Sequence, residues 1–185
     1  YLDGKISRDD MFEVLTTTGG KTEREANETL DEWTFEKENG FAWSNRFKAY
    51  SEGTVSESEI RAMLADRGYT SAEIDNEIAA YEWKIRNPSA DMNMSEVISY
   101  VKPIEGTNTS IAQSGIKPEV YIEYKTLMSE CEGVDKNGDG KADRNTKKAE
   151  MLEAIDGLPI SDAQKDVLYF ANGWAASKLW QAPWH

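Results

Sequence analysis

One stretch of this chain has the residue types and spacing to bind an ion: Asp135-Lys-Asn137-Gly-Asp139-Gly140-Lys141-Ala-Asp143. Counting Asp135 as the first position, oxygen-bearing side chains stand at positions 1, 3, 5 and 9. Gly140 falls at position 6, where such a loop must turn sharply, and the backbone carbonyl of Lys141 supplies position 7. Ca²⁺ is a hard cation that takes about six to eight oxygens at roughly 2.3–2.6 Å, and this spacing wraps oxygens around one point. The expected ion is therefore one Ca²⁺, with Asp135, Asn137, Asp139, Lys141 and Asp143 as ligands. Position 12, which calls for a bidentate glutamate, is Thr146, with Glu132 and Glu150 nearby in the flanks. Losing that carboxylate weakens the expected affinity to the order of 10⁻⁴ M. A single site that weak suits a structural staple, adding stability by mass action where Ca²⁺ is plentiful. The plain alternative is an Asp/Asn/Gly-rich turn that binds no metal.

With helical patterns on both sides, the loop resembles an EF-hand, from which it departs at Thr146. It is also similar to the shorter aspartate-rich calcium loops of dockerins and thrombospondin-type repeats. The dockerin resemblance implies a second reading, a calcium-dependent module that recognises a protein partner through a helical face.

No catalytic residue is assigned. His185 is the only histidine, and there is no glycine-rich phosphate loop, nucleophile elbow or zinc cluster. Carboxylate pairs such as Asp9/Asp10 and Glu36/Glu38 fall on faces expected to be exposed, whereas a glycosidase needs two carboxylates converging across a cleft. A carboxylate-based hydrolase of cell-wall glycan is thus the third reading. Trp174, Trp180 and Trp184 are expected to anchor helices rather than form a sugar platform. Cys131 is alone, so an intrachain disulfide is impossible; its row with Val120, Tyr124 and Leu127 predicts a small buried residue.

Lys and Arg total 21 against 34 Asp and Glu, a formal charge of −13. That balance excludes the usual nucleic-acid binder, which displaces phosphate counterions with cations, and equally an anionic membrane surface. No run approaches the roughly 18 apolar residues of a membrane helix. The first residue is Tyr1 rather than Met, which suggests a part of a longer polypeptide. Partner identity and oligomeric state are not legible; a protein partner or self-assembly is expected.

The elements that position the loop begin with an internal duplication. Tyr1-Leu-Asp-Gly4-Lys-Ile6-Ser7 matches Tyr50-Ser-Glu-Gly53-Thr-Val55-Ser56 at an offset of 49, and Leu15 matches Leu64. At an offset of 48, Gly20, Thr22 and Glu25 match Gly68, Thr70 and Glu73, and Leu30 and Trp33 correspond to Ile78 and Tyr81. Each copy reads as two helices. Ser7 and Ser56 cap the first, with Asp10 and Glu59 reaching back. Gly20 and Gly68 end it, and Thr22-x-x-Glu25 and Thr70-x-x-Glu73 open the longer second helix. The second helix of the second copy is expected to stop near Asn87-Pro88.

A short helix over Ser95–Val101 follows, then a Gly/Ser/Thr-rich stretch at 105–116 that reads as a linker or long loop. Pro118 opens a helix reaching about Cys131; beyond the acidic loop another carries Met151, Ile155 and Leu158; Ser161-x-x-Gln164 caps a last one. The expected fold is all-α: duplicated helical-hairpin repeats followed by a small helical region with a calcium-type loop. The expected division is 1–104 (copies at about 1–40 and 50–88), 105–116, and 117–185 with the loop at 135–146.

The pattern Tyr-x-x-Gly-x-Ile/Val-Ser, then Gly-x-Thr-x-x-Glu and an aromatic-rich helix end, resembles repeats in large proteins of phages and prophages of Gram-positive bacteria. The stretch from Met151 to Tyr169 with its Ala182-Pro183-Trp184 ending is similar to a C-terminal element of the same proteins. The resemblance implies a non-enzymatic, virion-associated structural component and carries no catalytic residue over.

Overall fold

The structure, a computed structural model, describes residues 1–131 and 144–173, apart from the side chains of 144–148. Among the described residues the fold is all-α, as the patterning predicts. Its helices are α1 (Arg8–Thr17), α2 (Glu23–Asn39), α3 (Arg46–Ser51), α4 (Glu57–Asp66), α5 (Ser71–Arg86), α6 (Met94–Val101), α7 (Pro118–Cys131), α8 (Arg144–Asp156) and α9 (Asp162–Ala171). The one approach to sheet structure among them is an isolated antiparallel bridge between Pro103 and Ser110.

The chain forms two compact units, Tyr1–Thr70 and a second from Ser71 onward. The division falls inside the second sequence copy, leaving α4 in the first unit and α5 in the second.

In the first unit the cap chemistry places the helix ends. The Ser7 hydroxyl accepts from the Asp10 N–H and Thr22 from the Glu25 N–H, and the acid returns a bond to the cap backbone in both cases. Ser56 caps α4 through the Glu59 N–H. Gly20 and Gly68 adopt φ of +65° and +88°, a left-handed conformation that costs glycine little and other residues more. α2 packs against α1 and buries Ala26 and Leu30, one helical turn apart. No residue of α1 is buried.

A 3₁₀ turn at Trp43–Asn45 leading into α3 was not legible in the sequence. The helix has six residues and buries only Ala49, too little for a 3.6-residue stripe to show. Its flank joins an aromatic cluster. Phe35 meets Phe41 and Trp43 edge-on at centroid distances of 5.5 Å each, and Trp43 meets Tyr69 at 6.4 Å. The Arg67 guanidinium lies 4.3 Å from the Trp43 ring centre and 5.3 Å from that of Phe35, and its Nη1 donates to Glu32 at 3.0 Å.

In the second unit α5 stops at Arg86, just before Asn87-Pro88. α6 starts at Met94 with a full capping box from Asn93 and Glu96. The 105–116 stretch is a loop with buried anchors: Ser110, Ile111 and Ile116 are 2, 5 and 1% exposed. The Tyr100 hydroxyl donates to the Ile116 carbonyl at 2.5 Å, and Gln164 Nε2 to the Ser114 carbonyl at 3.2 Å. Ile111 and Ile116 thereby join Val97, Tyr121, Met151, Ile155 and Leu168 in one core.

Ile155 is fully buried in that core. Ile155→Ala is expected to destabilise the second unit by about 3 kcal/mol, through lost burial plus a residual cavity. Ser161→Ala, which removes only the cap of α9, is expected to cost ~1 kcal/mol. Urea denaturation of the two variants checks the ranking.

Candidate functional site

The five expected Ca²⁺ ligands, Asp135, Asn137, Asp139, Lys141 and Asp143, lie in 132–143, outside the described residues, as do Glu132, Trp174, Trp180, Trp184 and His185. Their frame is described on both sides. α7 leads into the segment at Cys131, α8 leaves it at Arg144, and the two helices pack against one another. Thr146, the twelfth loop position, falls in the first turn of α8. Among the described residues no group of three or more His, Cys, Asp or Glu side chains is placed to hold a metal ion.

The face α7 turns inward differs from the expected row. Tyr121, Tyr124 and Met128 are buried, while Val120, Leu127 and Cys131 pack half-buried against the same core. α7 is apolar over much of its circumference, so spacing alone fits more than one face. The selecting factor is tertiary: the tyrosine hydroxyls find partners there. Asn172 Nδ2 donates to the Tyr124 hydroxyl at 2.7 Å and to the Leu168 carbonyl at 2.8 Å. The Tyr169 hydroxyl donates to Asp156 at the end of α8. Tyr121 hydrogen-bonds Ser99 on α6. The Tyr81 hydroxyl donates at 2.8 Å to Glu77, itself only 3% exposed.

Burial raises the pKa of Tyr100 and Tyr124, and pushes that of Tyr121 up to about 12. Tyr169 is raised by burial first, then by its bond to Asp156 and that carboxylate's charge. All four therefore remain neutral phenols near pH 7, able to donate hydrogen bonds. Sequence reading missed this network because a tyrosine on an apolar stripe looks like any other core aromatic. Asn172, close after α9, gave no signal of its own.

Among the described residues, a small ligand could lodge in either of the following two depressions. One, of about 240 Å³, lies in the second unit above Tyr121 and Tyr124, between Lys102 and Lys125. Its one lining carboxylate is Glu105, where glycoside hydrolysis uses two. The other is shallow and runs along α2 past Glu25, Glu28, Glu32 and Trp33. Each of its carboxylates is engaged: Glu25 in the Thr22 cap, Glu28 with Arg24 at 2.7 Å, Glu32 with Arg67. The Thr22 N–H at 2.8 Å is the main cause holding the Glu25 carboxyl below its usual range, the opposite of what a general acid needs. Asp9, Asp10, Glu36 and Glu38 are all exposed.

Compared with family models, with curated proteins and with solved structures, the chain matches none.

A tyrosine whose pKa is higher folded than unfolded contributes stability that is complete below the unfolded value and lost as pH rises through the folded one. Unfolding stability is therefore expected to fall from about pH 10 to about 12, with Tyr121 contributing one proton to the slope. Melts across that range should show a shallower decline for Tyr121→Phe than for the parent chain.

Proposed function

We propose that this chain is a non-catalytic helical structural or interaction module, repeat-built in its first part. One Ca²⁺ in the loop between α7 and α8 would stabilise the second part. The reading follows the phage and prophage structural proteins that the sequence resembles, and it places the protein in a virion-associated assembly.

The observation that carries the calcium part is the contact between α7 and α8. Their inward residues Tyr124, Met128, Met151 and Ile155 belong to one core. An ion held by Asp135, Asn137, Asp139, Asp143 and the Lys141 carbonyl would therefore tie together the ends of two helices already packed on each other. It would neutralise acidic charge concentrated in the loop, supplying electrostatic cross-linking rather than chemistry. The structural part is supported by how the described polar groups are used. Carboxylates serve as helix caps and surface ion pairs, and buried hydroxyls as hydrogen-bond donors within the core.

The test is a thermal melt with and without calcium. At about 10 mM Ca²⁺ a site of ~10⁻⁴ M adds about 2.7 kcal/mol, or roughly 5–10 °C for a chain of this size. Asp139→Ala should melt at the chelated temperature in both conditions. A parent melt indifferent to Ca²⁺ and chelator would remove the metal from this reading.

A further inference from the structure

The depression of about 240 Å³ in the second unit gathers more hydrogen-bond donors than its own lining uses. Its lining comes from separate parts of the chain. Ser99 lies on α6 and Lys102 directly after it, while Tyr121, Tyr124 and Lys125 stand on α7 at i, i+3 and i+4, the spacing of one helical face. Between these helices the segment carrying Ile104 and Glu105 is tied down. The Ile104 N–H donates to the Thr109 carbonyl at 3.0 Å, and the Thr107 hydroxyl donates to the Ile104 carbonyl at 2.8 Å. Ile111, 5% exposed, anchors the same loop in the core. The site is thus built on fixed elements.

Its cations are unpaired. With 34 acids to 21 cations, a lysine on this chain has ample opportunity to meet a carboxylate. Arg86 and Lys165 of the same unit do so, with Glu82 at 3.9 Å and Asp162 at 4.0 Å. Lys102 and Lys125 do not: among the described residues neither side chain has a carboxylate at ion-pair distance, Glu105 included. The tyrosines add a further donor. Tyr121 is occupied with Ser99. The Tyr124 oxygen accepts from Asn172 Nδ2 at 2.7 Å, and among the described residues nothing accepts its proton. Burial keeps that phenol protonated at neutral pH, so it remains a donor. Two ammonium groups and a phenol then line one depression with a single carboxylate, an imbalance that favours an oxyanion. Ile104 and Ile111 beside them suit a short hydrocarbon body.

We propose that this depression is a binding site for a small organic anion, a carboxylate or phosphate head on a short apolar body. Lys102 and Lys125 pair with the head, the Tyr124 hydroxyl donates to it, and Ile104 and Ile111 contact the body. Glu105 repels further negative charge, so small mono- or dianions are accepted over polyanions. The inference goes beyond the proposed function, adding a ligand to the module, and is independent of calcium.

The probes are benzoate, phenyl phosphate and, as the uncharged control, benzyl alcohol. Each is titrated into the full chain with chelator present and followed by calorimetry and amide NMR shifts. At least one anion is expected to bind with a Kd of about 1 mM or below, weakening with salt and shifting the amides of Lys102, Ile104 and Lys125. The tighter of the two identifies the head group. Lys102→Gln and Lys125→Gln, at exposed positions without partners, should keep the parent's urea midpoint and each weaken binding roughly fivefold or more. Lys117→Gln, which removes the same charge outside the depression, should bind as the parent does. Neither anion binding at ten times that concentration, benzyl alcohol binding as tightly as the anions, undiminished binding by both lysine variants, or an equal loss in Lys117→Gln would each overturn the proposal. A melt indifferent to Ca²⁺ would leave it standing and remove only the metal from the proposed function.

Discussion

Burying a phenol gains the area of a large ring and obliges the fold to give its hydroxyl a partner, because an unpaired buried donor costs about 1–3 kcal/mol. The second unit buries Tyr81, Tyr100, Tyr121, Tyr124 and Tyr169. Their partners come from separate places in the chain: Glu77 on α5, the Ile116 carbonyl in the 105–116 loop, Ser99 on α6, Asn172 after α9 and Asp156 at the end of α8. The bonds of Tyr100, Tyr121, Tyr124 and Tyr169 tie one element to another, while that of Tyr81 lies within α5. The ring contacts run the same way, from Trp83 to Tyr100 at 5.4 Å, on to Tyr121 at 5.1 Å and to Tyr124 at 6.0 Å. The placement of α7 and α8, and with it the frame of the acidic loop, follows from satisfying these groups together.

The first unit solves a different problem with less material. Its buried apolar residues are Ala26, Leu30, Ala49, Val55, Ile60 and Leu64, and its aromatics Phe35, Phe41, Trp43 and Tyr69 are half-buried. Arg67 adds what a thin core lacks, covering ring surface with its guanidinium while its charge pairs with Glu32. Two guanidiniums, those of Arg67 and Arg46, lie against the Trp43 ring, so that aromatic surface is already engaged within the unit. The exposed ion pairs Arg8–Asp31 and Arg24–Glu28 add little, since water screens them. Helix ends are well defined by caps, yet α1 buries nothing fully and leaves Val14 exposed.

A strong acid excess and the proposed calcium staple fit one physical picture. At −13 the chain repels itself, and Asp135, Asp139 and Asp143, close together in sequence, add to that repulsion. The Ca²⁺ proposed for residues 135–143 would offset part of that repulsion. The two units are also built from different amounts of core.

Much of the helix layout was legible because it is written in local chemistry. Ser7 with Asp10, Thr22 with Glu25 and Ser161 with Gln164 satisfy backbone donors within four residues, so short-range sequence suffices to place those helix starts. Gly20 and Gly68 mark turns for the same reason, since the left-handed backbone is a property of one residue. The acidic stretch 135–143 was also read from spacing alone, and it lies outside the described residues. What the sequence left open was every choice among faces of comparable apolarity: α7 burying Tyr121, Tyr124 and Met128, the 105–116 stretch sinking Ile111 and Ile116 into the core, α3 forming at all, and Glu77 sitting buried beneath Tyr81. Most of those outcomes depend on partners distant in sequence, such as Asn172, 48 residues from Tyr124, and Ile116, 16 residues from Tyr100. Local sequence determined where this protein's helices begin and turn; the tertiary structure decided which way they face, because a buried polar group must be satisfied by whatever the fold brings to it.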